Sequence, residues 1–262
     1  MADAMYRRIA DELRQEIEAG GLEPETRLPT EVELGGRFNA SRNTVRDAIK
    51  LLIVLGLVET RPGQGTFVTK RIDPFVTVLS EEPETGFGGG EGAALLSKVS
   101  ARQTKFTASQ VRVEIQAAKQ KVARSLRVPL AAQVVSRHQQ RSIGETPWSF
   151  QTSFYPMSLV TEGASKLIEA NDIPTGAVQY LQTELGKKQT GYSDWITVRS
   201  PNMDEIGFFQ LPGDGRIPVY EIFRTAFDQT GTPMRLTVTV FPVDRNQFIV
   251  NVGEVPDSSH ED

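Results

Sequence analysis

Two helix-start signals, set one after the other, constrain this chain more than any other feature. The first is "TEVE" at 30–33. The Thr30 hydroxyl can accept from the Glu33 amide while the Glu33 carboxylate reaches back to the Thr30 amide, a capping box. The second is Ser41, a good N-cap ahead of "RNTVRDAIKLL". The first helix therefore has to be short. It runs to about Phe38, burying Leu34 and Phe38, and the chain bends at Asn39 and Ala40. The second buries Val45, Ala48, Ile49 and Leu52 and stops at Gly56. Upstream, Tyr6, Ile9, Ala10, Leu13 and Ile17 form one apolar stripe on a helix ended by Gly20 and Gly21. Downstream, "LVETR" and "TFVT" flank "PGQG". Proline presets one dihedral and the glycine after it permits positive φ, so this reads as a hairpin. Three helices and a hairpin make a winged helix-turn-helix, assigned to residues 1–70.

A change of composition follows. "SEEPETGFGGGEGA" (80–93) is rich in glycine and acid and has no apolar period, which predicts a linker over 71–96. A long surface loop within one domain is the alternative. From 97 to 255, hairpins alternate with short helices. "AQVVSRHQQRSIGETPWSFQTSFYP" turns at "IGETP", and "PVYEIFRTAFDQTGTPMRLTVTVFPV" turns at "DQTG". The expected fold class is α+β on an antiparallel sheet. Residues 256–262 read as a polar tail. At 262 residues and 39% hydrophobic, the chain has enough apolar material for such a core. It has no cysteine, which excludes disulfides and mildly favours a reducing compartment. No apolar run resembles a signal peptide or a membrane span, so the expected location is the cytoplasm, with no membrane partner.

The helix opened by Ser41 carries hydrogen-bonding residues in its first turn and apolar ones behind. A helix that enters a DNA major groove has that layout. Arg42 and Arg46 are one turn apart on one face; each can bond guanine bidentately or grip phosphate, while Ser41, Asn43 and Thr44 supply short polar groups. Taken alone, two helical arginines are more often a solvated surface; the short helix before and the hairpin after reverse that preference. At the hairpin tip, Gly63, Gln64 and Gly65 either only make the turn or let bare backbone approach a minor groove. A net charge of −4 is a weak argument against nucleic acid, because local arginines set the local potential. With two histidines, no nucleophile–histidine–carboxylate set, no phosphate loop and no metal-ligand cluster, neither catalysis nor a metal or other cofactor is expected.

The run "LPTEVELGGRFNASRNTVRDAIKLLIVLGLVETRPGQGTFV", within residues 6–68, resembles the DNA-binding domain of GntR-family bacterial transcription regulators. The resemblance implies that Arg42 and Arg46 contact operator DNA, that Ser41, Asn43 and Thr44 contribute nearby, and that Gly63 to Gly65 approach the minor groove. Val32 stands where some members have a basic DNA contact, and Glu25 stands where glycine is usual. The second domain is similar to the UTRA effector domain of the HutC subgroup, which has a chorismate-lyase-like fold. The motifs are "VVSRHQQRSIGETPWSFQTSFYP", "RSPNMDEI" and "FRTAFDQTGTPMRLTVTVFPVDRNQF". The fold is shared with a lyase, but the absence of a catalytic set favours a ligand-responsive regulator, more often a repressor in this subgroup. A homodimer on double-stranded DNA and a small-molecule effector are implied as partners. In the subgroup an arginine pair two apart on a strand often holds an anionic effector; here the pair is Gln139 and Arg141, and Gln151 replaces a frequent glutamate. Arg141 fits either a ligand contact or a structural salt bridge.

Overall fold

A computed structural model describes residues 2–69, 74–79 and 106–250. The chain divides into two compact units between Asp73 and Pro74.

In the first unit, α1 (Ala2–Glu18) packs its Ile9, Ala10 and Leu13 stripe against α3 (Arg42–Val54). The short α2 (Glu31–Phe38) begins with the expected box: the Glu33 amide donates to Thr30 Oγ1 at 3.3 Å and the Thr30 amide donates to Glu33 Oε2 at 2.7 Å. Asn39 takes a left-handed φ of 48°, which ends α2 sharply enough for Ser41 to cap α3. Leu34, Val45, Ala48 and Leu52 are fully buried between the helices. Strands β1 (Val58–Arg61) and β2 (Gly65–Val68) form the antiparallel wing. Its turn is closed by the Gln64 amide donating to the Arg61 carbonyl at 3.0 Å, with Gly63 at φ +72°. The connector lies along the wing, where the Leu28 amide donates to Thr66 and the Val68 amide to Thr26. Glu25 sits at φ +66°, which explains why glycine is the easier residue there.

In the second unit seven of the described strands build an antiparallel sheet in the order β4-β6-β7-β10-β9-β8, with β5 also on β6. The strands are β4 (Phe106–Ala108), β5 (Arg112–Ala117), β6 (Gln133–Ile143), β7 (Thr146–Pro156), β8 (Gln189–Arg199), β9 (Val219–Asp228) and β10 (Pro233–Pro242). β6 with β7 and β9 with β10 are the hairpins read from their turns. On one sheet face, α4 (Gln120–Leu126) covers Val134, Phe154, Leu236 and Val238. On the other, α5 (Met157–Thr161) and α6 (Ala177–Leu185) cover one end, over Val135, Tyr155 and Ala226. Leu79 joins Ile143, Trp148, Ile222 and Phe241 in a separate apolar cluster on the same unit. The "RSPNMDEI" stretch is structural: Asn202 and Glu205 form a second capping box opening α7 (Met203–Phe209). The Glu205 carboxylate also takes two 2.7 Å bonds from Arg199 at the end of β8.

The linker expectation needs correction. Phe75–Val78, within the 71–96 stretch read as linker, is a strand, β3, paired in parallel with β11 (Asn246–Ile249). Its partner lies far along the chain, so no local pattern announces the pairing, and the second unit begins before residue 97. The glycine-rich run 80–93 and the tail 256–262 lie outside the described residues.

Candidate functional site

The first turn of α3 groups Ser41, Arg42, Asn43, Thr44 and Arg46 as its spacing requires. Arg42, Asn43 and Arg46 are exposed, while Val45 between them is buried. Ser41 and Thr44 are partly committed to the helix itself. Ser41 Oγ accepts from the Thr44 amide at 3.2 Å and lies 2.8 Å from Thr44 Oγ1. The Arg42 guanidinium makes no hydrogen bond to a described residue. Arg46 does: its Nε donates to Glu31 Oε1 at 2.9 Å and its Nη2 to Glu31 Oε2 at 2.8 Å. That fork holds the Glu31 carboxyl below the usual carboxylate range, and the nearby Arg42 charge adds to the effect. Glu31 is a residue the sequence reading missed; it sits in α2, fifteen positions from its partner.

At the wing tip, Gly63 and Gln64 are exposed. Open space surrounds Gly63, so its positive φ alone calls for glycine. Gly65 is more tightly constrained. A Cβ there would lie 2.7 Å from Arg27 Nε, at a φ of +122° that side chains avoid. Below the tip stands Arg61, also unforeseen. It donates to Glu59 at 2.8 Å and Glu25 at 2.6 Å, and its guanidinium lies 4.5 Å from the Phe67 ring centroid. Val32, at the start of α2, is exposed and offers no charge.

In the second unit, strand alternation puts residues 137, 139 and 141 of β6 on one face. Gln139 stands opposite Gln151, and Arg141 opposite Ser149. All three residues named from sequence are brought together and buried. Arg141 Nη1 donates to Gln151 Oε1 at 2.7 Å, and Nη2 to Gln139 Oε1 at 3.5 Å. The chain of bonds continues beyond them. Gln151 Nε2 donates to Ser153 Oγ at 3.3 Å, and Ser153 Oγ lies 3.3 Å from Thr237 Oγ1 on β10. Ser153 and Thr237 could have been found only with the β7–β10 register in hand.

Other arginines on this face have different roles. Arg224 is forked onto Asp194 at 2.7 and 2.5 Å. Arg137 is buried and its Nη1 donates to the carbonyls of Lys166, Leu167 and Glu169, with Nη2 reaching that of Asn171 at 2.6 Å. Among the bonds of Arg141 are those to the neutral amide oxygens of Gln151 and Gln139, and a stronger acceptor can displace a neutral one. Tyr155 and Trp148 belong to the core, whereas Trp195 is 69% exposed on β8. Among the described residues no cluster of histidine, aspartate and glutamate has the geometry of a metal site. No described helix is long and apolar enough to cross a membrane.

Comparison with known proteins matches residues 5–68 to the gntR family of bacterial regulatory proteins and residues 101–247 to the UTRA domain. The mannosyl-D-glycerate transport/metabolism system repressor MngR of Escherichia coli is 44% identical over 64 residues. That match covers 24% of this chain and 27% of MngR, so the chain spans only about a quarter of that relative. The HTH-type transcriptional regulator SCO4628 of Streptomyces coelicolor is 27% identical over 262 residues, 97% of this chain and 94% of that protein. The crystal structure of a GntR-family transcriptional regulator superposes with a TM-score of 0.66 at 23% identity, covering 96% of this chain and 98% of that one, and so supports the fold. These relatives are transcription regulators rather than enzymes, and the domain pairing agrees with the HutC resemblance. A winged helix followed by a UTRA domain over more than half the chain places this protein in the GntR family of bacterial transcription regulators.

Proposed function

We propose that the protein is a cytoplasmic, ligand-responsive repressor that binds a two-fold symmetric operator as a homodimer. The observation that carries the reading is the first half of α3, where Arg42, Asn43 and Arg46 are exposed and the buried stripe begins behind them. Side chains so placed can reach base edges while the helix stays anchored. Ser41 and Thr44 fix the start of the helix, and Gly63, Gln64 and Gly65 bring the wing backbone to the minor groove. MngR is named a repressor, which favours that sign of regulation here.

One winged helix makes too few base contacts for a long site, and two-fold pairing doubles them. We assign pairing to residues 97–255, with Trp195, Ile196 and Val198 on the outer strand β8 as the contact, since all three are exposed. Full-length protein carrying Trp195→Glu is expected to run as a monomer in light scattering at micromolar concentration, where the unaltered chain runs as a dimer. A variant that stays dimeric would put the contact elsewhere.

The effector occupies the polar face around Arg141, with Gln139 and Gln151 as neutral neighbours. The Arg141 guanidinium beside two amide side chains suits a ligand with an anionic or strongly accepting group. Binding releases DNA by favouring a dimer arrangement whose winged helices miss the half-site spacing. The test is a thermal-shift and gel-shift screen of monocarboxylates, sugar phosphates and neutral sugars. An anionic ligand is expected to raise the Tm and weaken the DNA complex, and Arg141→Gln to abolish both responses. An unchanged response in Arg141→Gln would remove Arg141 from the site.

A further inference from the structure

The Arg46–Glu31 fork uses a specific edge of the guanidinium. Nε and Nη2 form the side edge, and both are bonded to the Glu31 carboxylate. The end edge, with one N–H from each of Nη1 and Nη2, points away from Glu31 and is available. Two parallel N–H groups at that spacing match the O6 and N7 acceptors of guanine in the major groove. Arg46 is itself exposed, so a long side chain would otherwise sample many rotamers. An unrestrained arginine there would also grip any phosphate within reach, which strengthens binding to every sequence alike.

We propose that Glu31 is a positioning residue for specificity: it clamps the side edge of Arg46 so that the end edge reads one guanine in each half-site, and its negative charge opposes non-specific phosphate contacts. The inference rests on the DNA-binding reading above and deepens it. Glu31 contributes through Arg46 and needs no base contact of its own. Its position at the start of α2 keeps the carboxylate fixed, because α2 is pinned by the Thr30–Glu33 capping box and by buried Leu34. The second carboxylate in that turn, Glu33, is occupied by the cap, so it cannot take over the clamp.

The test uses full-length protein and a duplex selected by the unaltered protein from a random-sequence pool. Affinities are measured for that duplex, for each single-base-pair variant of it, and for an unrelated duplex. Glu31→Gln keeps the size of the side chain and loses the charge. It is expected to bind the unrelated duplex several-fold more tightly and to lose about tenfold discrimination at one guanine per half-site. Glu31→Asp, which retains the charge, is expected to recover part of that discrimination. In an Arg46→Ala background, Glu31→Gln should change discrimination at that base by less than twofold, which a merely structural role would not predict. Glu31→Gln with unaltered preference at every base pair would overturn the proposal while leaving the DNA-binding reading intact. Failure of the unaltered protein to select any sequence would overturn both.

Discussion

Arg42→Ala and Arg46→Ala are each expected to weaken binding to the selected operator by about 1–3 kcal/mol if they read bases. Neither should shift the thermal transition of the first unit by much, because both side chains are exposed and the Arg46–Glu31 pair is a solvent-screened surface ion pair. The two variants should differ from each other. Arg46→Ala leaves the Glu31 carboxylate uncompensated beside the phosphate backbone, so its loss should be the larger and should grow at low salt. If Arg42 contacts phosphate rather than a base, its loss falls evenly on all sequences and lowers the salt slope by about one. Fluorescence anisotropy at two salt concentrations separates these cases. Wild-type affinity in both variants would mean that another face of α3 meets DNA.

A larger effect on folding is expected from Arg137→Ala. This arginine is buried on β6 and ties four backbone carbonyls of the 166–171 segment to the sheet. Those carbonyls lie between α5 and α6, in and just after a 3-10 turn (Ser165–Ile168) where the Lys166 carbonyl also accepts from the Glu169 amide, and the guanidinium gives them a shared charged donor. Truncation leaves these acceptors without their charged donor; the Leu167 carbonyl is buried, where an unsatisfied group costs about 1–3 kcal/mol, while Lys166, Glu169 and Asn171 are exposed and can turn to water. With the lost packing of the buried arginine side chain added, the expected loss is about 3 kcal/mol. For a unit of this size that corresponds to a fall of about 10 °C in Tm. Calorimetry on the full chain should show the loss in the transition of the second unit, with that of the winged helix unmoved. A change below about 1 kcal/mol would show that the 166–171 segment is held by its apolar contacts alone.

The winged helix was legible because its signals are local. A capping box, an N-cap serine and a proline–glycine turn each act within four residues, and periodicity supplied the core. The two long hairpins of the second unit were legible for the same reason. What was not legible depends on distant pairing. β3 looked like linker because its partner β11 lies at the other end of the unit. Arg141, Gln139 and Gln151 could be placed on one face from alternation and one turn, but Ser153 and Thr237 needed the order of the strands. The role of Arg137, on the same face, also needed the structure, because the carbonyls it ties down lie some thirty residues away. Glu31 carried no signal as a functional residue, since an acidic residue in the first turn of a helix is already accounted for by the helix dipole. Only the fork to Arg46 marks it out.

Recognition of a two-fold symmetric operator by α3 and the wing is the step on which the proposed function depends. Selection from a random-sequence duplex pool by the full-length protein, followed by sequencing of the bound fraction, tests it most directly. The expected result is an inverted repeat whose half-sites lie about one helical turn, or a multiple of it, apart, with a guanine in each half that is lost from the consensus in Arg46→Ala. Enrichment of no sequence, or of a single asymmetric site indifferent to Arg42 and Arg46, would contradict it.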